Sequence, residues 1–295
     1  MPFINPKTDF AFKKIFGSPQ SQDVLVSFLN GLLYEGTDTV QSLDILHPYQ
    51  APPIRGMKDT YLDVKALLHD GTSVIVEMQV LNVAGFEKRI LYNAAKTYST
   101  QLATGDDYTL LNPVIALTIT DFVMFEDLEA YRSCFVLKEK DFLIDYPTHD
   151  VELVFVELPK FERSLPELDN LMEQWLFFLK HAKELADIPH EMSAIPALRQ
   201  AFEFANQANL SSEELEDLEH REMFIHDQRN ALKLAHRQGR EAGFAEGREE
   251  GIEQGIEQGR EVEQRRIARQ LKATGMDTAQ IAAVTGLSVE AIETL

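Results

Sequence analysis

The chain predicts an α/β fold: a mixed sheet of at least four strands flanked by helices, followed by a long helical C-terminal extension. Three observations carry that expectation. Two β-branched and apolar runs, residues 60–68 and 72–80, flank His69-Asp70-Gly71 and read as the strands of a hairpin whose turn ends in Gly. Residues 111–120 and 151–158 are further apolar runs of strand length, while 8–17, 21–34 and 87–103 have helical spacing. From Ser211 the composition shifts to Glu, Arg, Ala, Gln and Gly, the mark of a solvated helix.

Taken in order, Thr8 stands where a helix cap belongs, and Phe10, Phe12, Ile15 and Phe16 form an apolar face before Pro19 breaks the pattern. In the hairpin, pairing Leu68 with Thr72 sets Asp63 opposite Glu77, with Lys65 and Gln79 two residues onward on the same face. Leu91, Ala94, Ala95, Tyr98 and Leu102 then share one helical stripe, and Arg89, Tyr92 and Lys96 share another. Residues 125–146 carry no clear period. Segments 166–186 and 196–207 read as helices, with Trp175, Phe177 and Phe178 as core residues rather than a base-stacking platform. Glu157, beside Pro159, reads as structural. Ser212 is the expected cap of the long helix.

The opposed acids are the chemically informative feature. Like charges facing each other destabilise a sheet, so such a pair either stays solvated or is bridged by a cation. A histidine-free, oxygen-rich site suits Mg²⁺ or Mn²⁺ rather than Zn²⁺. A hard cation there can activate water and stabilise charge on a phosphate, so the pair suggests phosphodiester hydrolysis. A solvated hairpin face shows the same alternation of charge.

Five stretches in order resemble a known family: Thr8-Asp-Phe-Ala-Phe-Lys-Lys-Ile-Phe-Gly17, Lys58-Asp-Thr-Tyr-Leu-Asp63, Val76-Glu-Met-Gln79, Lys88-Arg-Ile-Leu-Tyr-Asn-Ala-Ala-Lys-Thr-Tyr98 and Pro113-Val-Ile-Ala-Leu-Thr-Ile119. The chain resembles the PD-(D/E)XK nucleases, and most closely the Rpn family of recombination-promoting nucleases, also described as transposases of that type. The resemblance implies a restriction-endonuclease-like mixed sheet and a metal-dependent DNA endonuclease linked to recombination or transposition. Asp63 and Glu77 would be its metal ligands. The commoner form of the core has Lys where this chain has Gln79, which carries no charge; Lys65 is a partial substitute on the same face. Asp59 is a further ligand candidate or a turn acid. Asp9 matches by position an acid that joins the metal site from the first helix, and it equally suits the helix's positive end. Lys13, Lys14, Arg89, Tyr92 and Lys96 are the candidates for contact with DNA.

Composition bounds the alternatives. There are 295 residues, 44% of them apolar, with no apolar stretch of spanning length and no N-terminal signal pattern, so a cytoplasmic globular protein with no membrane partner is expected. The single Cys134 excludes an intrachain disulfide and a cysteine-based metal cluster; as a lone thiol it is expected to be buried. The eight His show no ligand spacing, and no Gly-rich phosphate loop is present. The net charge of −20 is awkward for DNA binding. It is unevenly spread: residues 1–104 hold nine basic against ten acidic side chains, and the rest holds nineteen against thirty-eight.

Glycines at 239, 243, 247, 251, 255 and 259 line the extension at a spacing of four. Each costs a helix roughly 0.8 to 1 kcal/mol relative to Ala, so close approach of another helix is the expected compensation, which points to a homo-oligomer, in the first instance a dimer, or to a protein partner; a flexible connector is the alternative. Residues 261–295 resemble a small helix-turn-helix with Ile267 and Leu271 on its first helix, but four basic side chains meet five acidic ones there. The expected organisation is a nuclease-like core at 1–160, helices packed on it at 161–210, the Gly-periodic helix at 211–260 and the tail at 261–295. Two other roles remain open for such a chain: a nuclease-fold module that acts through protein contacts of its C-terminal helix, and a nuclease restrained by that helix until a partner removes it.

Overall fold

Val74, Val76 and Met78 enter one hydrophobic core while Ile75 enters another, so the run that holds Glu77 is a central strand covered on both faces. That strand belongs to a computed structural model describing residues 3–50 and 60–295. The chain divides into two compact units, Met1–His226 and Asp227–Leu295.

In the first unit the elements are α1 (Asp9–Phe16), α2 (Gln22–Tyr34), β1 (Leu43–Leu46), β2 (Tyr49–Gln50), β3 (Thr60–Tyr61), β4 (Val64–Leu68), β5 (Ser73–Gln79), α3 (Phe86–Ser99), β6 (Val114–Thr120), β7 (Arg132–Phe135), β8 (Val151–Glu157), α4 (Leu171–His181), α5 (His190–Ser193), α6 (Pro196–Ala205) and the start of α7 (Ser212–Ala273). The main sheet has six strands in the order β1-β4-β5-β6-β8-β7, and β2 with β3 forms a separate pair. Strands β5, β6 and β8 run parallel, and the other pairings are antiparallel. Helix α3 makes the crossover between β5 and β6 and covers one face through Phe86, Ile90 and Ala94 against Ile75, Ala116 and Phe155. The opposite face packs on Phe12, Phe28, Trp175, Phe178 and Phe202 from α1, α2, α4 and α6.

The hairpin keeps the expected register, with Val64 opposite Val76 and Lys65 opposite Ile75, and Leu68 N–H donating to Thr72 O. Gly71 closes the turn at φ +88°, and a Cβ there would lie 2.8 Å from Asn112 Oδ1. The run 60–68, however, is broken. The chain bends at Asp63, β3 leaves to pair with β2, and Leu62 and Val64 enter opposite cores although their spacing would put them on one face of an unbroken strand. The Asp63 carboxylate accepts the Met78 N–H, a bond that ends the ladder with a side chain instead of a backbone carbonyl.

Edge strands β1 and β7 had no counterpart among the sequence-predicted strands. Cys134 lies on β7 and is exposed, contrary to expectation, because the strand closing the sheet leaves that side open to solvent. Glu157 is buried and accepts the N–H groups of Met124 and Phe125 and the Lys160 ammonium, tying the preceding loop to the end of β8. Helix α7 is capped by Ser211 rather than Ser212: Glu214 N–H donates to Ser211 Oγ, and Ser211 N–H donates back to the Glu214 carboxylate. The second unit holds the remainder of α7 with α8 (Thr278–Thr285) and α9 (Val289–Glu293), closed by Ala268, Ile281 and Ile292. Asp277 and Ser288 cap the two short helices.

Candidate active site

Four elements meet at the C-terminal end of β5 around a cleft of about 660 Å³. Helix α1 brings Asp9 and Lys13, one turn apart and hence on one face. The bend after β3 brings Asp63, β5 brings Glu77 and Gln79, and α3 brings Lys88, Arg89, Tyr92 and Asn93. Tyr61, 71% exposed and packed against Tyr49, stands at the rim.

The acids are held by complementary partners. Asp63 Oδ2 accepts Met78 N–H at 2.8 Å, and its Oδ1 lies 3.5 Å from the Lys13 ammonium. Lys13 also pairs with Asp9 at 2.5 Å, and Asp9 in turn accepts Arg221 Nη1 of α7 at 2.7 Å. Glu77 is 9% exposed, accepts Asn93 Nδ2 at 2.7 Å and lies 3.6 Å from Arg89 Nη2. Burial pushes the Asp63 carboxyl up to about 7, reinforced by its hydrogen bond with Asp9 and by the Glu77 charge and opposed by Met78 N–H and Lys13. Glu77 is raised for the same first reason, against Arg89, Asn93 and Lys13. Asp9 goes the other way: burial disfavours its charge, but the Lys13 and Asp63 hydrogen bonds and the charges of Lys13 and Arg221 hold its pKa below the ordinary value.

Not every sequence candidate reaches this cleft. Lys65, opposite Ile75, sits toward the hairpin turn from Asp63 and does not line it. Lys14 points away to Glu214 at 2.6 Å, and its ammonium lies over the Phe10 ring. Lys96 is buried, donating to Gln50 O at 2.9 Å and Thr60 Oγ1 at 3.2 Å, and so fastens the small sheet to α3. Asp59 lies outside the described residues. Asn93 and Arg221 were missed. For Asn93 the available signal was its spacing of three from Ile90, on the face that Phe86, Ile90 and Ala94 bury; Arg221 is 212 residues from its partner and gave none.

Among the described residues no set of three His, Cys, Asp or Glu is gathered for a metal ion. The cleft's donors nevertheless fit a hard divalent cation. Asp63 and Glu77 supply carboxylate oxygens, and Mg²⁺ is commonly held by one or two carboxylates while keeping waters. Asn93 Oδ1 is buried with no hydrogen-bond partner in the protein, an acceptor close to Glu77 that suits such a water.

Comparison with curated proteins finds no match, and comparison with solved structures finds none either. Residues 6–235 match the family model described as PD-(D/E)XK nuclease family transposase. That span includes α1, the hairpin, α3 and the whole of the main sheet, and the chain belongs to this family of nuclease-fold transposases.

Proposed function

We propose that this protein is a Mg²⁺- or Mn²⁺-dependent DNA endonuclease that hydrolyses phosphodiester bonds in recombination or transposition and acts in the cytoplasm. The observation that carries the reading is the convergence of Asp63 and Glu77 in one cleft, flanked by the cations Lys13, Lys88 and Arg89. A divalent ion held by the two carboxylates would supply Lewis-acid stabilisation of the phosphate and an acidified water. Asp63 is fixed by Met78 N–H and Glu77 by Asn93, so both oxygen donors are oriented before any ligand arrives. Lys13, Arg89 and Tyr92 face the same space, where ammonium, guanidinium and phenol groups can receive the phosphates on either side of the scissile bond. Asp9, the outer acid, orients Lys13.

A plasmid-nicking assay with Mg²⁺ tests this reading. Nicking by the native protein that disappears in Asp63→Ala is expected. Equal residual nicking in both would assign it to a contaminant and leave the alternative role, a nuclease-fold module working through protein contacts.

A further inference from the structure

Gln79 has both ends of its side-chain amide committed. Its Oε1 accepts Arg89 Nη2 at 2.7 Å, and its Nε2 donates to Leu81 O at 2.7 Å. The second bond fixes the orientation of the amide, and the first then fixes the guanidinium. Arg89 is further supported by the Phe86 ring, 5.0 Å below it, and by Glu77 Oε2 at 3.6 Å. Three contacts thus hold one cation beside Glu77, while its side chain keeps 42% of its surface exposed on the cleft. Lys13, on the α1 side, is instead clamped between two carboxylates.

We infer that Arg89 is the catalytic residue that stabilises the phosphate during cleavage, and that Gln79 is the positioning residue that holds it there. The inference rests on the phosphodiesterase reading above. As the water oxygen bonds to phosphorus and the phosphorus–oxygen ester bond breaks, negative charge grows on the non-bridging oxygens. The attacking water gives its proton to solvent, the leaving oxygen takes one from solvent, and Arg89 stays protonated throughout. A guanidinium presents fixed donors to that developing charge, which a neutral amide cannot match.

The test is a mutant cycle on the full chain, read by Mg²⁺-dependent nicking and by metal-free affinity for a short DNA duplex. Arg89→Ala should lower turnover by about 10²- to 10³-fold, much more than it weakens duplex binding. Gln79→Ala should lose less, and Gln79→Ala combined with Arg89→Ala should be no slower than Arg89→Ala alone, since the amide acts only through the guanidinium. Gln79→Lys placed in the Arg89→Ala background should recover turnover. Independently of activity, the Arg89 Nη2–H signal in low-temperature ¹⁵N spectra should be protected from exchange in the native protein and lose protection in Gln79→Ala. Additive losses, full turnover in Arg89→Ala or unchanged protection in Gln79→Ala would overturn the assignment. Active native protein indifferent to Arg89 overturns this inference alone, whereas inactive native protein overturns the phosphodiesterase reading with it.

Discussion

Asp63 ties the chemistry of the cleft to pH. Its folded-state carboxyl titrates at about 7, whereas an unfolded aspartate titrates near 4. Between those values the folded chain binds more protons than the unfolded one, so metal-free stability falls as pH rises through that window. Glu77, raised by burial, contributes with the same sign. Asp63→Asn should flatten the slope, which urea midpoints measured from about pH 4 to 8 would show; a slope unchanged by the substitution would contradict this origin. Protons compete with a cation for the same oxygens, so Mn²⁺ affinity should climb with pH and level off above about 7. Asn93 belongs to the same scale. Asn93→Ala removes the donor to Glu77 and should slow nicking about 10- to 100-fold, with metal affinity falling alongside. Slower nicking at unchanged metal affinity would show that Asn93 acts elsewhere.

At the scale of elements, the turn of the hairpin sets the register that brings the acids together. Gly71→Ala forces a side chain into a positive-φ position against Asn112 and should destabilise the protein by about 1 to 3 kcal/mol, seen as a shift in denaturation midpoint. The register itself was legible because strands alternate with a period of two and the turn residue is Gly. The bend at Asp63 was not: Leu62 and Val64 are both apolar, so the run reads as a continuing strand until the Met78 N–H is seen to bond a carboxylate. Strands β1 and β7 are four residues long and mix Asp44, Arg132 and Ser133 with apolar residues, leaving too short a pattern to read. The start of α7 is fastened by Lys14–Glu214, Arg221–Asp9 and Lys183–Glu222, surface pairs worth little each, with Leu218 buried beneath. Arg221→Ala should raise the Asp9 pKa, as followed by NMR titration, and turnover should rise with it if this segment restrains the nuclease. An Asp9 titration unmoved by the substitution would contradict the pairing.

Across the whole molecule, charge and helix chemistry set what the protein meets. With a net charge of −20, association with DNA should be weak and strongly salt-dependent, carried by the cleft cations rather than by the overall field. Among the described residues no helix is long and apolar enough to cross a membrane. The six glycines of the α7 repeat have open space where a Cβ would stand, so no neighbour among the described residues offsets their helical cost. We propose that pairing with a second copy supplies it. Gly247→Ala with Gly251→Ala should then raise helix stability in dilute solution and reduce the dimer mass seen in sedimentation, and an unchanged mass would remove self-association along this stripe. The family was legible over the first half of the matched span, where its motifs are short and ordered; partners contributed from far along the chain, such as Arg221, were not. The most direct measurement is a calorimetric titration of the native protein, Asp63→Ala and Glu77→Ala with Mn²⁺. Saturable binding in the native protein that is lost in both variants is expected, and binding retained by either variant would contradict a cation held jointly by Asp63 and Glu77.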